Sequence, residues 1–134
     1  MAEQAFIGRW KLDKSENFEE YMKEVGVGLI TRKAAANLKP TLEIKLEGDT
    51  WHSNQYSTFK NTTLSYKLNQ KFEETTPDGR TVTSLIVFEN GKFTHTQEKD
   101  GKVVSVISRW LEGDRLITTL QAGSVTCRRE YVRE

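Results

Sequence analysis

The sequence predicts an all-β protein, a ten-stranded antiparallel up-and-down β-barrel with a short helical hairpin near its start. Turn signals recur about every 9 to 12 residues, and the runs between them are rich in Val, Ile, Thr, Tyr and Phe. Only one early segment has helical spacing. A chain of 134 residues suits one domain and one core, so we expect residues 1–134 to form a single unit.

The composition is polar and nearly neutral. Hydrophobic residues make up 36% of the chain, less than in a solid globule, which suits a barrel with a partly polar cavity. The net charge of +1 argues against nucleic-acid binding, which calls for a marked basic excess. Cys127 has no partner for an internal disulfide, and the opening MAEQAFIGRW resembles neither a signal peptide nor a membrane span. We therefore expect a soluble, cytoplasmic protein.

The first strand is predicted from Ala5 to Leu12, because apolar residues recur at every second position. One face of this strand carries Phe6, Gly8, Trp10 and Leu12.

A helical hairpin is predicted over about residues 17–39. Asn17 is placed to cap the first helix, Gly26 to end it, and Pro40 to end the second helix, which starts at Val27 or Gly28. The first helix has apolar residues at helical spacing, Phe18, Tyr21, Met22 and Val25, and the second has a stripe of Leu29, Ile30, Ala34 and Leu38.

Nine further strands are predicted after Pro40, separated by tight turns. Asn-Gly and Asp-Gly favour type I′ hairpin turns, whose two central residues need positive φ. A closed barrel would remove the edges of such a long meander. The turn signals are Glu47-Gly48-Asp49, Pro77-Asp78-Gly79, Asn90-Gly91, Asp100-Gly101, Glu112-Gly113-Asp114 and Ala122-Gly123.

The last strand, residues 125–132, has one mostly charged face and one mixed face. If the charged face lies in water, alternation places Cys127, Arg129 and Tyr131 inside. A surface strand with its arginines solvated fits the alternation equally well. Arg109 is a second candidate, but in residues 103–111 alternation does not identify the inner face.

A buried arginine would need an anionic partner. The guanidinium stays charged at ordinary pH, and burying it unpaired is costly. Its planar fork suits a carboxylate, because it makes two parallel hydrogen bonds, and Tyr131 can add a third donor.

The pattern GRWKL, followed after four residues by NFEEYM, resembles the N-terminal signature of the intracellular fatty-acid-binding proteins. The similarity continues through YMKEVGVGLITRKAAANLKP, STFKNT, KFEETTPDGR and CRREY, and is closest to the heart, adipocyte and myelin subgroup. The resemblance implies a calycin-like barrel with a helix-turn-helix lid, and non-covalent binding and transport of long-chain fatty acids. Cellular retinoic-acid-binding proteins are near relatives and give the alternative function.

The resemblance also implies the site residues. Arg109, Arg129 and Tyr131 match the positions that bind the ligand carboxylate, and retinol-binding relatives carry glutamine at these arginines, which favours an acid over an alcohol. Phe59 is expected at the portal. The positions implied for the ligand tail are Phe18, Tyr21, Met22, Val27, Thr31, Leu42, Gln55, Ser57, Phe59, Pro77, Asp78, Arg80, Ile107, Thr118 and Leu120.

Two departures from heart-type relatives stand out. One extra residue lies between Gly101 and Arg109, which indicates a longer turn or a bulge and leaves the inward positions of residues 102–108 open. Lys99 stands where heart-type relatives often carry Trp.

Two other classes of protein match parts of the sequence. A barrel-fold enzyme would rest on Cys127, His52 and His95, which form no recognised nucleophile–base pattern; His95, on one face with Phe93 and Gln97, is predicted to be a polar cavity group. An extracellular lipocalin shares Gly-x-Trp but is usually larger and secreted. No metal-ligand spacing is present, and no cofactor is predicted.

Basic residues on the hairpin predict a surface role. Lys23, Arg32 and Lys33 are expected to make transient contact with anionic membranes, against the simpler interpretation of a solvated basic face. In some relatives the matching residues form a nuclear import surface. The protein is otherwise expected to be a monomer.

Overall fold

In the computed structural model of the protein, which describes residues 2–76 and 79–134, ten antiparallel strands form one sheet that curls into a nearly closed barrel. This confirms the predicted fold class. Two helices between the first two strands cap the barrel. The elements are β1 (Gly8–Glu16), α1 (Phe18–Glu24), α2 (Leu29–Ala36), β2 (Thr41–Glu47), β3 (Thr50–Tyr56), β4 (Thr62–Lys67), β5 (Phe72–Thr75), β6 (Thr81–Glu89), β7 (Lys92–Lys99), β8 (Lys102–Glu112), β9 (Arg115–Ala122) and β10 (Val125–Arg133).

The strands follow one another around the barrel, and β1 pairs with β10. Among the described residues no ladder joins β4 to β5, so two strand edges remain that closure was expected to remove. The stacked rings of Tyr66 and Phe72, 6.0 Å apart, lie across this seam. The backbone N–H of Asn69, in the connection between the two strands, donates to the carbonyl of Ile86. The seam is therefore filled by side chains and the connecting turn.

The N-terminal segment differs from its prediction. Residues Ala2–Phe6 form a 3-10 helix, and the strand expected from Ala5 begins at Gly8. Phe6 nevertheless points inward as alternation suggested, because the helix folds across one end of the barrel and its last residue enters the core.

The hairpin turns follow their predicted chemistry. Asn90 and Gly91 have φ of 54° and 76°, and Asp100 and Gly101 have φ of 53° and 77°. Positive φ at both central residues is the type I′ requirement that these dipeptides satisfy. Pro77 and Asp78, in another predicted turn, lie outside the described residues.

The first helix begins without the predicted cap. Asn17 adopts a left-handed conformation with φ 62°, and its side chain makes no capping bond. The Asn17 Nδ2 instead donates to the carbonyl of Thr126 at 3.2 Å. Asn17 therefore ties the lid to β10. Gly26, with φ 93°, follows the end of α1 as predicted.

The second helix does not bury most of its predicted apolar stripe. Leu29 and Ile30 are 58% and 86% exposed, because the side of α2 that meets the barrel carries Thr31 and Ala35. Of the predicted stripe, Leu38, just beyond the helix, borders the interior. Neither α1 nor α2, nor any other helix in the described ranges, is long and apolar enough to span a membrane.

Candidate ligand-binding cavity

Three neighbouring strands place the predicted polar residues in one row. Arg109 on β8 is paired with Thr118 on β9, and Thr118 is paired with Arg129 on β10. Tyr131 lies two residues beyond Arg129, on the same strand face. All four side chains border one internal cavity. Of the two alternatives that the β10 alternation left open, the structure has the first, with Cys127, Arg129 and Tyr131 inward.

Within the described residues, the two arginines are cations with no carboxylate partner. Arg129 is only 5% exposed, and its Cζ lies 3.8 Å from the centre of the Phe18 ring. Across residues 2–76 and 79–134, neither Arg109 nor Arg129 forms an ion pair, and Arg109 Nε and Thr118 Oγ1 are buried without hydrogen-bond partners. Burying such groups unpaired is costly. This end of the cavity is therefore complementary to an anion.

The cavity has a volume of about 170 Å³, over ten times the roughly 10–15 Å³ that one water needs. The barrel is thus hollow. Apolar side chains from the lid and several strands share its wall with the polar row, so a ligand with an apolar body and an acidic end fits its chemistry.

Most residues predicted for the ligand tail border this cavity. Val27 does not: it is buried beneath the lid with Tyr21, Met22 and Cys127. Pro77 and Asp78 are not among the described residues. The predicted tail residues that border the cavity are Phe18, Tyr21, Met22, Thr31, Leu42, Gln55, Ser57, Phe59, Arg80, Ile107, Thr118 and Leu120.

Phe59 lies beyond β3, which ends at Tyr56. The Phe59 side chain is 46% exposed although it borders the cavity. It therefore stands where the cavity meets the surface, as its expected portal position requires.

A buried polar cluster on β5, β6 and β7 was largely missed. His95 borders the cavity as expected, and its Nε2 lies 2.9 Å from Glu74 Oε1. Ser84 Oγ and Gln97 Nε2 donate to the same oxygen at 2.7 and 3.3 Å. The alternation of Phe93, His95 and Gln97 pointed to this face, but nothing in FEET marked Glu74 as buried. We call Glu74, Ser84, His95 and Gln97 the polar cluster.

The ionisation of Glu74 reflects its surroundings. Burial is the largest influence and disfavours the charged form, but the hydrogen bonds from His95, Ser84 and Gln97 and the charge of His95 outweigh it. The pKa of the Glu74 carboxyl therefore lies below its ordinary value of 4.5.

Glu74→Gln should therefore reduce the acid dependence of stability. A carboxyl whose pKa is lowered by folding adds stability above its unfolded pKa, and this is lost as pH falls through the folded pKa. We expect Glu74→Gln to cost about 1–3 kcal/mol near neutral pH, with the deficit shrinking as pH falls below 4.5. Urea unfolding across this range, with exposed Glu73→Gln as the control, measures the difference. A constant deficit would contradict the charge-based account.

The extra residue in β8 forms a bulge. Gln97 pairs with Ser105 while Glu98 pairs with Val103, so Val104 has no partner in the β7–β8 ladder. Ser105 is buried on the same strand face as Ile107 and Arg109, and Val103, on the other side of the bulge, is 55% exposed. Ser105 Oγ lies 2.5 Å from Tyr21 Oη on α1. Ser105 thus connects β8 to the lid.

The cysteine–histidine arrangement considered for an enzyme is not formed in the described chain. Cys127 is fully buried, and burial raises the pKa of its thiol to about 11 although Arg129 acts in the opposite direction. His95 bonds to Glu74, and His52 bonds to Ser65. A protonated, buried thiol is a poor nucleophile.

The hollow barrel, its helical lid and its cationic interior define a binding protein with an enclosed ligand cavity. A family model described as "Lipocalin / cytosolic fatty-acid binding protein family" matches residues 7–134. Fatty acid-binding protein homolog 6 of Caenorhabditis elegans is 77% identical over 133 residues, covering 98% of each chain. The chain belongs to the lipocalin / cytosolic fatty-acid-binding protein family.

Solved structures agree over the full fold. Apo lipid binding protein 8 of Caenorhabditis elegans aligns with a TM-score of 0.92 at 57% identity, over 98% of this chain and 96% of that one. The Schistosoma mansoni fatty acid binding protein in complex with arachidonic acid aligns with a TM-score of 0.93 at 36% identity, over 100% and 99% of the two chains.

Proposed function

We propose that this protein binds a long-chain fatty acid non-covalently in its cavity and carries it within the cell, without catalysis. The observation that carries the proposal is the pair of arginines, Arg109 and Arg129, that border an enclosed cavity and have no described carboxylate partner. The names of its relatives support it, as does the arachidonic acid bound by the Schistosoma protein.

The carboxylate would be held by Arg129, Tyr131 and Arg109. Thr118 lies between the two arginines in the strand register, and its unpartnered hydroxyl can donate to the same anion. Charge-assisted bonds in a site shielded from water are stronger than neutral ones. These residues fix the orientation of the ligand and select an acid.

The tail would supply most of the affinity. At roughly 0.8 kcal/mol per methylene, a sixteen-carbon acid has a ceiling of about 12 kcal/mol, which immobilisation and imperfect fit reduce. Retinoic acid has the same head group, and competition with oleate would rank the two ligands.

Delipidated protein is expected to bind oleate with submicromolar affinity and oleyl alcohol at least about tenfold more weakly, because only the acid neutralises the arginines. Isothermal titration with both ligands measures this. Equal affinities would contradict the role of the carboxylate, and no binding of either ligand would contradict the proposed function.

Location and surface contacts follow the same proposal. We expect action in the cytoplasm as a monomer, with entry to the nucleus a further expectation. Transient contact with anionic membranes is supported by exposed Lys23 and by exposed Leu29 and Ile30. Lys33 pairs with Glu19, and Arg32 is half-buried with a bond to the Val27 carbonyl.

A further inference from the structure

The cavity has a second polar wall that a simple fatty acid does not need. Glu74, His95 and Gln97 border the cavity on β5 and β7, whereas the cationic row lies on β8, β9 and β10. All three side chains are at most 6% exposed. A saturated tail passing this wall would have nothing to bond to, so the polar cluster calls for a ligand with a second polar group.

Gln97 leaves one hydrogen-bonding atom unused. Its Nε2 donates to Glu74 Oε1, and this fixes the amide orientation, because the flipped amide would set two acceptors against each other. Gln97 Oε1 is then a buried acceptor without a partner in the described structure, on a residue 2% exposed. An unpaired buried acceptor is costly and would be satisfied by a hydroxyl donor.

The strand register gives the backbone spacing along β7 between Gln97 and Phe93, the partner of Arg109. Phe93 is paired with Arg109, and Gln97 lies four residues further along β7, which is about 13 Å at roughly 3.3 Å per residue. A hydroxyl that reaches Gln97 therefore belongs to the middle of a long chain, not to carbons beside the carboxylate.

We propose that the polar cluster is a second subsite, which binds a mid-chain hydroxyl of the ligand through Gln97, so that the cavity accepts hydroxylated long-chain fatty acids about as well as unsubstituted ones. This inference rests on the proposed fatty-acid binding and extends it. The ligand hydroxyl donates to Gln97 Oε1, which recovers the desolvation cost that the same hydroxyl would suffer against an apolar wall.

Ricinoleate and oleate test the subsite, because they differ only by one mid-chain hydroxyl. Wild-type protein is expected to bind the two within about threefold. Gln97→Met keeps the length of the side chain and is expected to weaken ricinoleate about fivefold to tenfold while oleate changes less than about twofold. Isothermal titration of all four pairs measures the selectivity.

Two matched variants separate the subsite from general effects. Gln121→Met replaces an exposed glutamine on β9 that does not border the cavity, and should leave selectivity unchanged. Ser84→Ala removes a different donor to Glu74, and should also leave selectivity unchanged if Gln97 itself contacts the hydroxyl. If Ser84→Ala lowers ricinoleate selectivity as much as Gln97→Met does, direct contact is excluded.

A measurement on the wild-type protein tests the subsite even if Gln97→Met fails to fold. The side-chain amide resonances of Gln97 should differ between the ricinoleate and oleate complexes, whereas those of Gln121 should not. If wild type binds oleate but the Gln97 resonances are identical in the two complexes, the subsite is overturned and the fatty-acid function stands. The same follows if Gln97→Met keeps the wild-type selectivity between ricinoleate and oleate. Failure of wild type to bind oleate would instead overturn the proposed function.

Discussion

Arg129→Gln is expected to lower oleate affinity by about 2–3 kcal/mol, roughly 30- to 150-fold, because a charged hydrogen-bonding partner of the carboxylate is lost. Glutamine is shorter and neutral, and its amide cannot neutralise the acid. Arg129 is the more completely buried of the two arginines, and it lies against the ring of Phe18. Water therefore cannot easily take the place of the lost guanidinium as a partner of the carboxylate. Isothermal titration with oleate measures the loss.

The chain offers a matched control one residue away. Arg128 lies on the outer face of β10 and contacts Glu112 and Glu130, so Arg128→Gln should leave oleate affinity unchanged. Oleyl alcohol should bind Arg129→Gln as well as it binds wild type. Without ligand, Arg129→Gln should be at least as stable as wild type, since a buried unpaired cation has been removed. Equal oleate affinity in the two variants would contradict the carboxylate site.

The charge difference between the two faces of β10 made its inner face one of two alternatives, because a solvated surface strand fits the same alternation. Arg129 shares a face with Cys127 and Tyr131, while Arg128 and Glu130 face out. The same argument did not decide the face of Arg109, because both faces of β8 mix apolar and polar residues. The bulge at Val104 was a second feature that alternation could not place. A bulge depends on pairing with the neighbouring strand, which local sequence does not encode.

The polar cluster was harder to predict from the sequence. Glu74 stands in the run FEET, where a short acidic segment usually faces water. Its burial is offset by donors from Ser84 on β6 and Gln97 on β7, ten or more residues away. Only the assembled sheet brings these partners together, so the stability of the buried carboxylate is a tertiary property.

The N-terminal 3-10 helix is a second case in which the sequence pattern did not predict the structure, here the path of the backbone. Alternation placed Phe6 correctly on an inward face but continued the strand through Ala5. The Trp10 Nε1 donates to the Phe6 carbonyl at 2.9 Å, and Arg133 donates to the carbonyls of Ala5 and Ile7. The local Trp10 bond and the two long-range Arg133 bonds hold the segment against the barrel, where its backbone does not join the ladder.

Phe6→Ala should therefore be strongly destabilising. The ring is 1% exposed and meets Phe88 and Phe93 edge-on, at centroid distances of 5.8 and 4.8 Å. Removing it leaves a cavity at the closed end and forfeits both aromatic contacts, at a cost of about 3–5 kcal/mol. Urea unfolding of the delipidated protein measures the loss.

Phe59→Ala is the matched control, because Phe59 is half-exposed at the portal. Phe59→Ala should lower the free energy of unfolding by less than about 1 kcal/mol, since little area returns to water. We expect Phe59→Ala, and not Phe6→Ala, to affect ligand entry. The pair thus compares a ring packed in the core, which stabilises the fold, with a half-exposed ring at the cavity edge, where we expect a ligand to enter. Equal losses of stability would mean that the N-terminal helix does not seal the core.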